Sequence, residues 1–101
     1  MKKNSILLKK TELAKFQKQI PTWILSPKAT SFSRLFNFKN HLDALVFIAR
    51  VTVHAQVLDH HPDILFSYKK VKVTLTTNDV KGLTRNDIEL AKKIDVLKIS
   101  G

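Results

Sequence analysis

The chain has 101 residues, 44% of them hydrophobic and 26% charged, which leaves room for one domain with one core and excludes a second. It contains no cysteine, which excludes disulfides and thiolate metal sites and fits a reducing compartment. The formal net charge of +10 raises nucleic acid as a partner, but no nucleic-acid-binding motif accompanies it, and lysines that only solubilise the surface account for it more simply. Association with nucleic acid through the lysine-rich residues 1–10 therefore ranks last among the partners considered.

No apolar run reaches the ~20 residues of a membrane helix, so no membrane partner is expected and the cytoplasm is the expected location. The opening "MKKNSILLKK" is basic, and its apolar centre "ILL" is too short for a secretory signal, although a role in organelle targeting stays open. Residues 1–10 are expected to form a basic, poorly ordered N-terminus to a single domain spanning 1–101.

The first helix is expected over 11–20, with Thr11 as cap, Glu12 in the first turn, Pro21 as stop, and Leu13, Phe16 and Ile20 on one face. "TWIL" reads as a short strand and "SPKAT" as a turn. "FSRLFNF" alternates, with Phe32, Phe36 and Phe38 on one face and Arg34 as the exception, and pairs with 23–25 as a hairpin. "NHLDALVFIARVTVHAQVL" is a long helix capped by Asn40. Leu42, Leu45, Val46, Ala49, Val53 and Val57 form its stripe, and Phe47, Ile48 and Val51 widen it enough to suggest a second buried face, such as a subunit contact.

After Pro62, "ILFSY" and "VKVTLTT" read as two strands joined tightly at Lys69 and Lys70 without glycine. "NDVKG" is a loop. "LTRNDIELAKKIDVL" closes the chain as a helix, with Thr84 as cap, Asp87 three residues on in a variant capping box, and Ile88, Ala91 and Ile94 on one side. The order α-β-β-α-β-β-α predicts an α+β fold: a four-stranded antiparallel sheet with the helices packed on one face.

The chemistry concentrates in "LDHHPDILFSY", where two of the four histidines, His60 and His61, stand side by side between a helix and a strand. Imidazole gives and takes protons near neutral pH, and the ends of rigid elements position such groups well. Asp59 is placed to fix a ring tautomer, and Pro62 fixes its own φ and biases His61 toward an extended conformation. Adjacent histidines chelate a single ion poorly, and no HxxxH or HExxH spacing is present, so no metal site is expected. A surface turn with incidental histidines stays open at this point. His41 and His54 read as structural.

"DHHPD", then Tyr68, "VKVTLTTND" and "GLTRNDIELAKKID", preceded more loosely by "TW" and "FNFKN", resemble the pterin-4a-carbinolamine dehydratase family over roughly residues 22 to 96. The resemblance implies dehydration of 4a-hydroxytetrahydropterin to quinonoid dihydropterin, in regeneration of the tetrahydrobiopterin used by aromatic amino-acid hydroxylases. It implies a pterin substrate, no metal and no organic cofactor, and a homodimer or homotetramer. It also allows a protein partner, since the animal member of the family binds a homeodomain transcription factor.

By the family's pattern His60 and His61 are catalytic, His60 transferring a proton and His61 binding and polarising the 4a-hydroxyl. Asp59 and Pro62, and Thr77, Asp79 and Val80 on the opposite side, are implied to line the substrate. Asp87 matches a family position near the pocket, with helix capping as its other role. The chain departs from the pattern twice: Asn78 stands where a third catalytic histidine is usual, and Gln56 where an ionisable residue is usual. Asparagine hydrogen-bonds but does not shuttle protons at neutral pH, so weakened activity is expected. The alternative is a non-catalytic protein-binding or assembly-factor member of the same fold, using the apolar helix 40–58 as its contact face.

Overall fold

The computed structural model describes residues 6–99. The elements are α1 (Lys10–Gln17), β1 (Ile24–Leu25), β2 (Phe32–Asn37), α2 (His41–Leu58), β3 (Asp63–Ser67), β4 (Lys70–Leu75) and α3 (Arg85–Asp95), with a 3-10 turn at Asn78–Val80. The strands form one antiparallel sheet in the order β1-β2-β4-β3. This is the expected α+β architecture and element order.

The alternation of β4 turns into a layered sheet. Val71, Val73 and Leu75 are fully buried and face the helices, while Lys70 and Lys72 point to solvent. Register carries the pattern across: Leu35, Lys72 and Leu65 form one row, all exposed. Phe32 pairs with Leu75 and Asp63 with Thr74, so the 26–31 turn, the start of β3 and the end of β4 gather at one end of the sheet. Thr76 Oγ1 donates to Thr30 O at 2.7 Å and ties two of these segments together.

Arg34, the exception in β2, has a specific place. Its guanidinium lies 4.4 Å from the centre of the Phe36 ring and donates to Asp95 Oδ1 at 2.7 Å. The same oxygen accepts from Nε1 of the buried Trp23, also at 2.7 Å. The inward arginine thus keeps its charge paired while its stem packs beside the core.

Three local expectations need correction. Helix α1 begins at Lys10, with Lys9 as its cap residue and Glu12 Oε1 accepting from the Lys9 N–H. It ends at Gln17, and tight turns carry the chain to Trp23 before Pro21 can act as the stop. The tight link between β3 and β4 is Tyr68–Lys69, with Tyr68 at φ 53° in place of a glycine. The core face of α2 is Ala44, Phe47, Val51 and Ala55, whereas Leu42, Leu45, Ala49, Val53 and Val57 are exposed. The helix is apolar nearly all round, so two stripes compete, and the sheet takes the one that includes Phe47, whose ring packs between Phe36 and Phe38. Helix α2 is long and apolar enough to cross a membrane by length and composition alone, and of its residues only Ala44, Phe47, Val51 and Ala55 are buried in the fold.

Of the N-terminal stretch expected to be poorly ordered, residues 1–5 lie outside the described residues. Leu8 is buried and donates its N–H to Leu83 O at 2.8 Å, and Lys10 already opens α1.

Candidate active site at the α2–β3 joint

Asn40 caps the start of α2 by accepting from the Asp43 N–H at 2.8 Å. The far end builds the site. Asp59 adopts the left-handed conformation, φ 49° and ψ 46°, its N–H donates to Gln56 O, and the His60 N–H donates to Ala55 O at 2.9 Å. This pair of bonds is a Schellman motif, with aspartate at the position where glycine is usual. The residue after the left-handed one turns back onto the last turn of the helix, so the motif drives His60 inward. His60 is 2% exposed, and His61, the next residue, is exposed. Half-buried Pro62 then leads into β3.

The inward ring meets a carboxylate from α3. His60 Nε2–H donates to Asp87 Oδ1 at 2.5 Å, in a pair whose carboxylate is fully buried. Asp87 Oδ2 accepts from Thr77 Oγ1 at 2.8 Å and from the Thr84 N–H at 2.9 Å. The Thr77 and Thr84 hydroxyls lie 2.9 Å apart. Asp87 therefore fills the capping role expected of it. It reaches back to cap α3, and it joins that helix to the histidine joint and to the end of β4.

His60 Nδ1 is buried without a hydrogen-bond partner. Since a carboxylate accepts only, the Asp87 contact fixes the proton of the neutral ring on Nε2 and leaves Nδ1 with its lone pair. His61 is held in a parallel way, its Nε2–H donating to Gln56 Oε1 at 2.5 Å. Among the described residues the exposed Asp59 carboxylate bonds neither ring. The ring partners are Asp87 and Gln56, and the contribution of Asp59 in this geometry is its backbone.

The remaining candidates lie on the loop after β4. Thr77 is buried, and its N–H and C=O pair with the C=O and N–H of Gly82 at 2.8 and 3.3 Å, closing the neck of the loop. Asn78 and Asp79 are exposed and Val80 is half-buried in the 3-10 turn, with Lys81 left-handed at φ 53°. Sheet register puts this loop beside the histidine joint, since Asp63 pairs with Thr74. His60, Thr77 and Asp87 thus form one bonded cluster, His61 and Gln56 a second, exposed pair, and Asn78, Asp79 and Val80 the neighbouring loop. Thr84 is the member the sequence reading assigned only to capping. Its spacing to Asp87 was the visible signal, but its hydroxyl contact with Thr77 was not. Among the described residues no three His, Asp or Glu side chains are placed to hold a metal ion.

The chain resembles known proteins over most of its length. The family model for pterin 4 alpha carbinolamine dehydratase matches residues 6–97. A protein of Prochlorococcus marinus, provisionally named a pterin-4-alpha-carbinolamine dehydratase, is 41% identical over 91 residues, covering 90% of this chain and 94% of its own. A protein of Halorhodospira halophila with the same provisional name is 46% identical over 79 residues, covering 78% and 72%.

Among solved structures, a transcriptional coactivator/pterin dehydratase from Brucella melitensis superposes with a TM-score of 0.85 at 31% identity, covering 89% of this chain and 96% of its own. A pterin dehydratase-like protein identified as a RuBisCO assembly factor of the α-carboxysome superposes with a TM-score of 0.63 at 19% identity, over 73% and 86% of the two chains, a likeness of fold alone. With the family model spanning nearly the whole chain and the Prochlorococcus marinus relative 41% identical over 90% of it, this chain belongs to the pterin 4 alpha carbinolamine dehydratase family.

Proposed function

We propose that the protein dehydrates 4a-hydroxytetrahydropterin to quinonoid dihydropterin, as a step in tetrahydrobiopterin recycling. The observation that carries this reading is that both adjacent imidazoles are anchored through Nε2, by Asp87 and by Gln56, while Nδ1 of the buried His60 ring has no hydrogen-bond partner and His61 stands exposed beside it. In the reaction the bond from carbon 4a to the hydroxyl oxygen breaks, and that oxygen takes a proton and leaves as water. Nitrogen 5 loses its proton, and its electron pair forms the new double bond to carbon 4a. One ring, as the imidazolium, supplies a proton from Nδ1 and the other, neutral, accepts one at Nδ1, a division of work that two positioned histidines can carry without a metal.

In this reading His61, exposed at the joint, meets the 4a-hydroxyl, and His60 transfers the second proton from its buried seat against Asp87. Asn78 supports the pterin by hydrogen bonds in place of a third histidine, and Asp59, Pro62, Thr77, Asp79 and Val80 frame it. A positioned acid or base contributes about 10²–10⁴ in rate, so the exchange of histidine for Asn78 gives a slower enzyme rather than an inert one. The test is the dehydration rate of freshly generated 4a-hydroxytetrahydropterin, followed by ultraviolet absorbance. The native protein is expected to exceed the uncatalysed rate, and His60→Ala to abolish most of that acceleration. A native rate equal to background overturns the reading.

A second reading is favoured by a different observation. Leu42, Leu45, Val53 and Val57 form an exposed apolar ridge along α2, with Val57 79% exposed. The solved structures with this fold include a transcriptional coactivator and a RuBisCO assembly factor, so a protein-binding role on that ridge is the alternative. It predicts no affinity for pterin and a stable partner recovered through the ridge.

A further inference from the structure

We infer that Leu7 and Leu8 are positioning residues for the candidate site, acting through Gly82 and the neck of the loop that carries Thr77 and Asn78; the inference rests on the reading of that site as the reaction centre. The Leu8 N–H donates to Leu83 O at 2.8 Å, and the Leu8 side chain is 8% exposed. Leu7 lies directly over Gly82. A Cβ built at position 82 would come within 2.5 Å of Leu7 Cδ1. The φ of Gly82 is not positive, so glycine serves there for close approach and not for an unusual backbone.

The covered residues are those that hold the loop neck. Gly82 O accepts from the Thr77 N–H at 2.8 Å, and the Gly82 N–H donates to Thr77 O. Leu83 leads straight into Thr84. Thr77 and Thr84 are two of the groups that bond the Asp87 carboxylate, and Asp87 holds His60. Apolar cover over the neck keeps water from competing for these bonds. A cavity of about 180 Å³ lined by Ile6, Leu7, Leu8, Glu12 and Arg85 runs beside the seam, so the strap has less packed support than the core has. Loosening it frees the neck first, and the displacement passes through Thr77 to Asp87 and the His60 ring.

The test uses the full-length protein with Leu8→Ala, Leu8→Ile and Gly82→Ala. Three quantities are measured: amide hydrogen exchange at Thr77, Gly82 and Val73, the low-field proton signal of His60 Nε2–H, and kcat and KM for pterin dehydration. In Leu8→Ala, exchange at Thr77 and Gly82 is expected to rise about tenfold while Val73 at the sheet centre stays within about twofold of native. The His60 signal broadens, kcat falls by about tenfold with KM little changed, and Leu8→Ile restores native behaviour.

Gly82→Ala displaces Leu7 while retaining Leu8 and is expected to give the same pattern at smaller amplitude. Native exchange and a native His60 signal in both Leu8→Ala and Gly82→Ala overturn the inference. If Leu8→Ala speeds Val73 as much as Thr77, the fold as a whole has loosened, and Gly82→Ala decides: local loosening supports the strap, and native behaviour overturns it. A native protein without dehydratase activity would sink the functional reading alone, because the exchange and proton-signal comparisons need no substrate.

Discussion

His60 Nε2 and Asp87 Oδ1 lie 2.5 Å apart across 27 residues of sequence, both buried, with the second carboxylate oxygen committed to Thr77 and to the first turn of α3. One carboxylate therefore serves the helix cap, the loop neck and the imidazole at once, and the consequences of removing it are correspondingly large.

Asp87→Ala leaves the buried His60 Nε2–H and the Thr77 hydroxyl without their acceptor and removes half of the α3 cap. The expected loss is roughly 2–4 kcal/mol, read from urea denaturation of native and variant protein. Asp87→Asn, which keeps the shape and one acceptor, is expected to lose less. It is also expected to lower the dehydration rate per folded molecule, because an amide can donate to His60 Nε2 and reverse the ring tautomer. A stability within 0.5 kcal/mol of native for Asp87→Ala, about the size of an ordinary surface substitution, would show that the cluster carries no such weight.

Asn78→His acts on chemistry without touching the core. The residue is exposed in the 3-10 turn, so stability is expected to change by no more than about 0.5 kcal/mol. The dehydration rate is expected to rise, by up to ~10²-fold if the new imidazole reaches the pterin in a productive pose. Rates of native and variant protein, each set against the uncatalysed background, check this. An unchanged rate would place Asn78 outside the reacting centre.

Asp95→Ala supplies the converse case. It removes the acceptor shared by Trp23 Nε1–H and Arg34 at the far side of the core. A loss of about 1–3 kcal/mol is expected in thermal or urea unfolding, with the rate per folded molecule unchanged. A specific loss of rate would mean that the two ends of α3 are coupled more tightly than their contacts indicate.

The exposed ridge of α2 is expected to be covered by further copies of the chain. Val53 is 61% exposed and Leu45 45%, on a face that otherwise presents apolar surface to water. The native protein is expected to sediment as a dimer or tetramer, and the double variant Leu45→Glu, Val53→Glu as a smaller species with its secondary structure intact. Identical sedimentation of the two would remove the ridge from any self-association.

Much of the fold was legible in order and little of it in orientation. The alternation of β4, the Asn40 cap and the Thr84–Asp87 spacing are local signals, and each appears in the structure as the sequence implied. Helix α2 defeated the same reasoning, because Leu42, Leu45, Val53 and Val57 form as good a stripe as Ala44, Phe47, Val51 and Ala55. Periodicity measures the contrast between faces, and a helix that is apolar on nearly every face has little to measure.

At the candidate site, residue type and the "HHP" run pointed to the chemistry proposed, since two adjacent imidazoles before a proline are informative wherever they fold. Which ring turns inward was decided by the Schellman motif at Asp59, and which carboxylate meets it by the packing of α3 against α2. The neighbour in sequence, Asp59, bonds neither ring, and the partner is 27 residues away. The sequence by itself determined the elements, their order and the candidate reactive groups, because those depend on residue type and on contacts within a few residues. The pairing of His60 with Asp87, the face of α2 that packs and the cover of Leu7 and Leu8 over Gly82 were decided only in the tertiary structure. Each joins groups that no local spacing brings together, and each depends on which surfaces exclude water best once the elements pack.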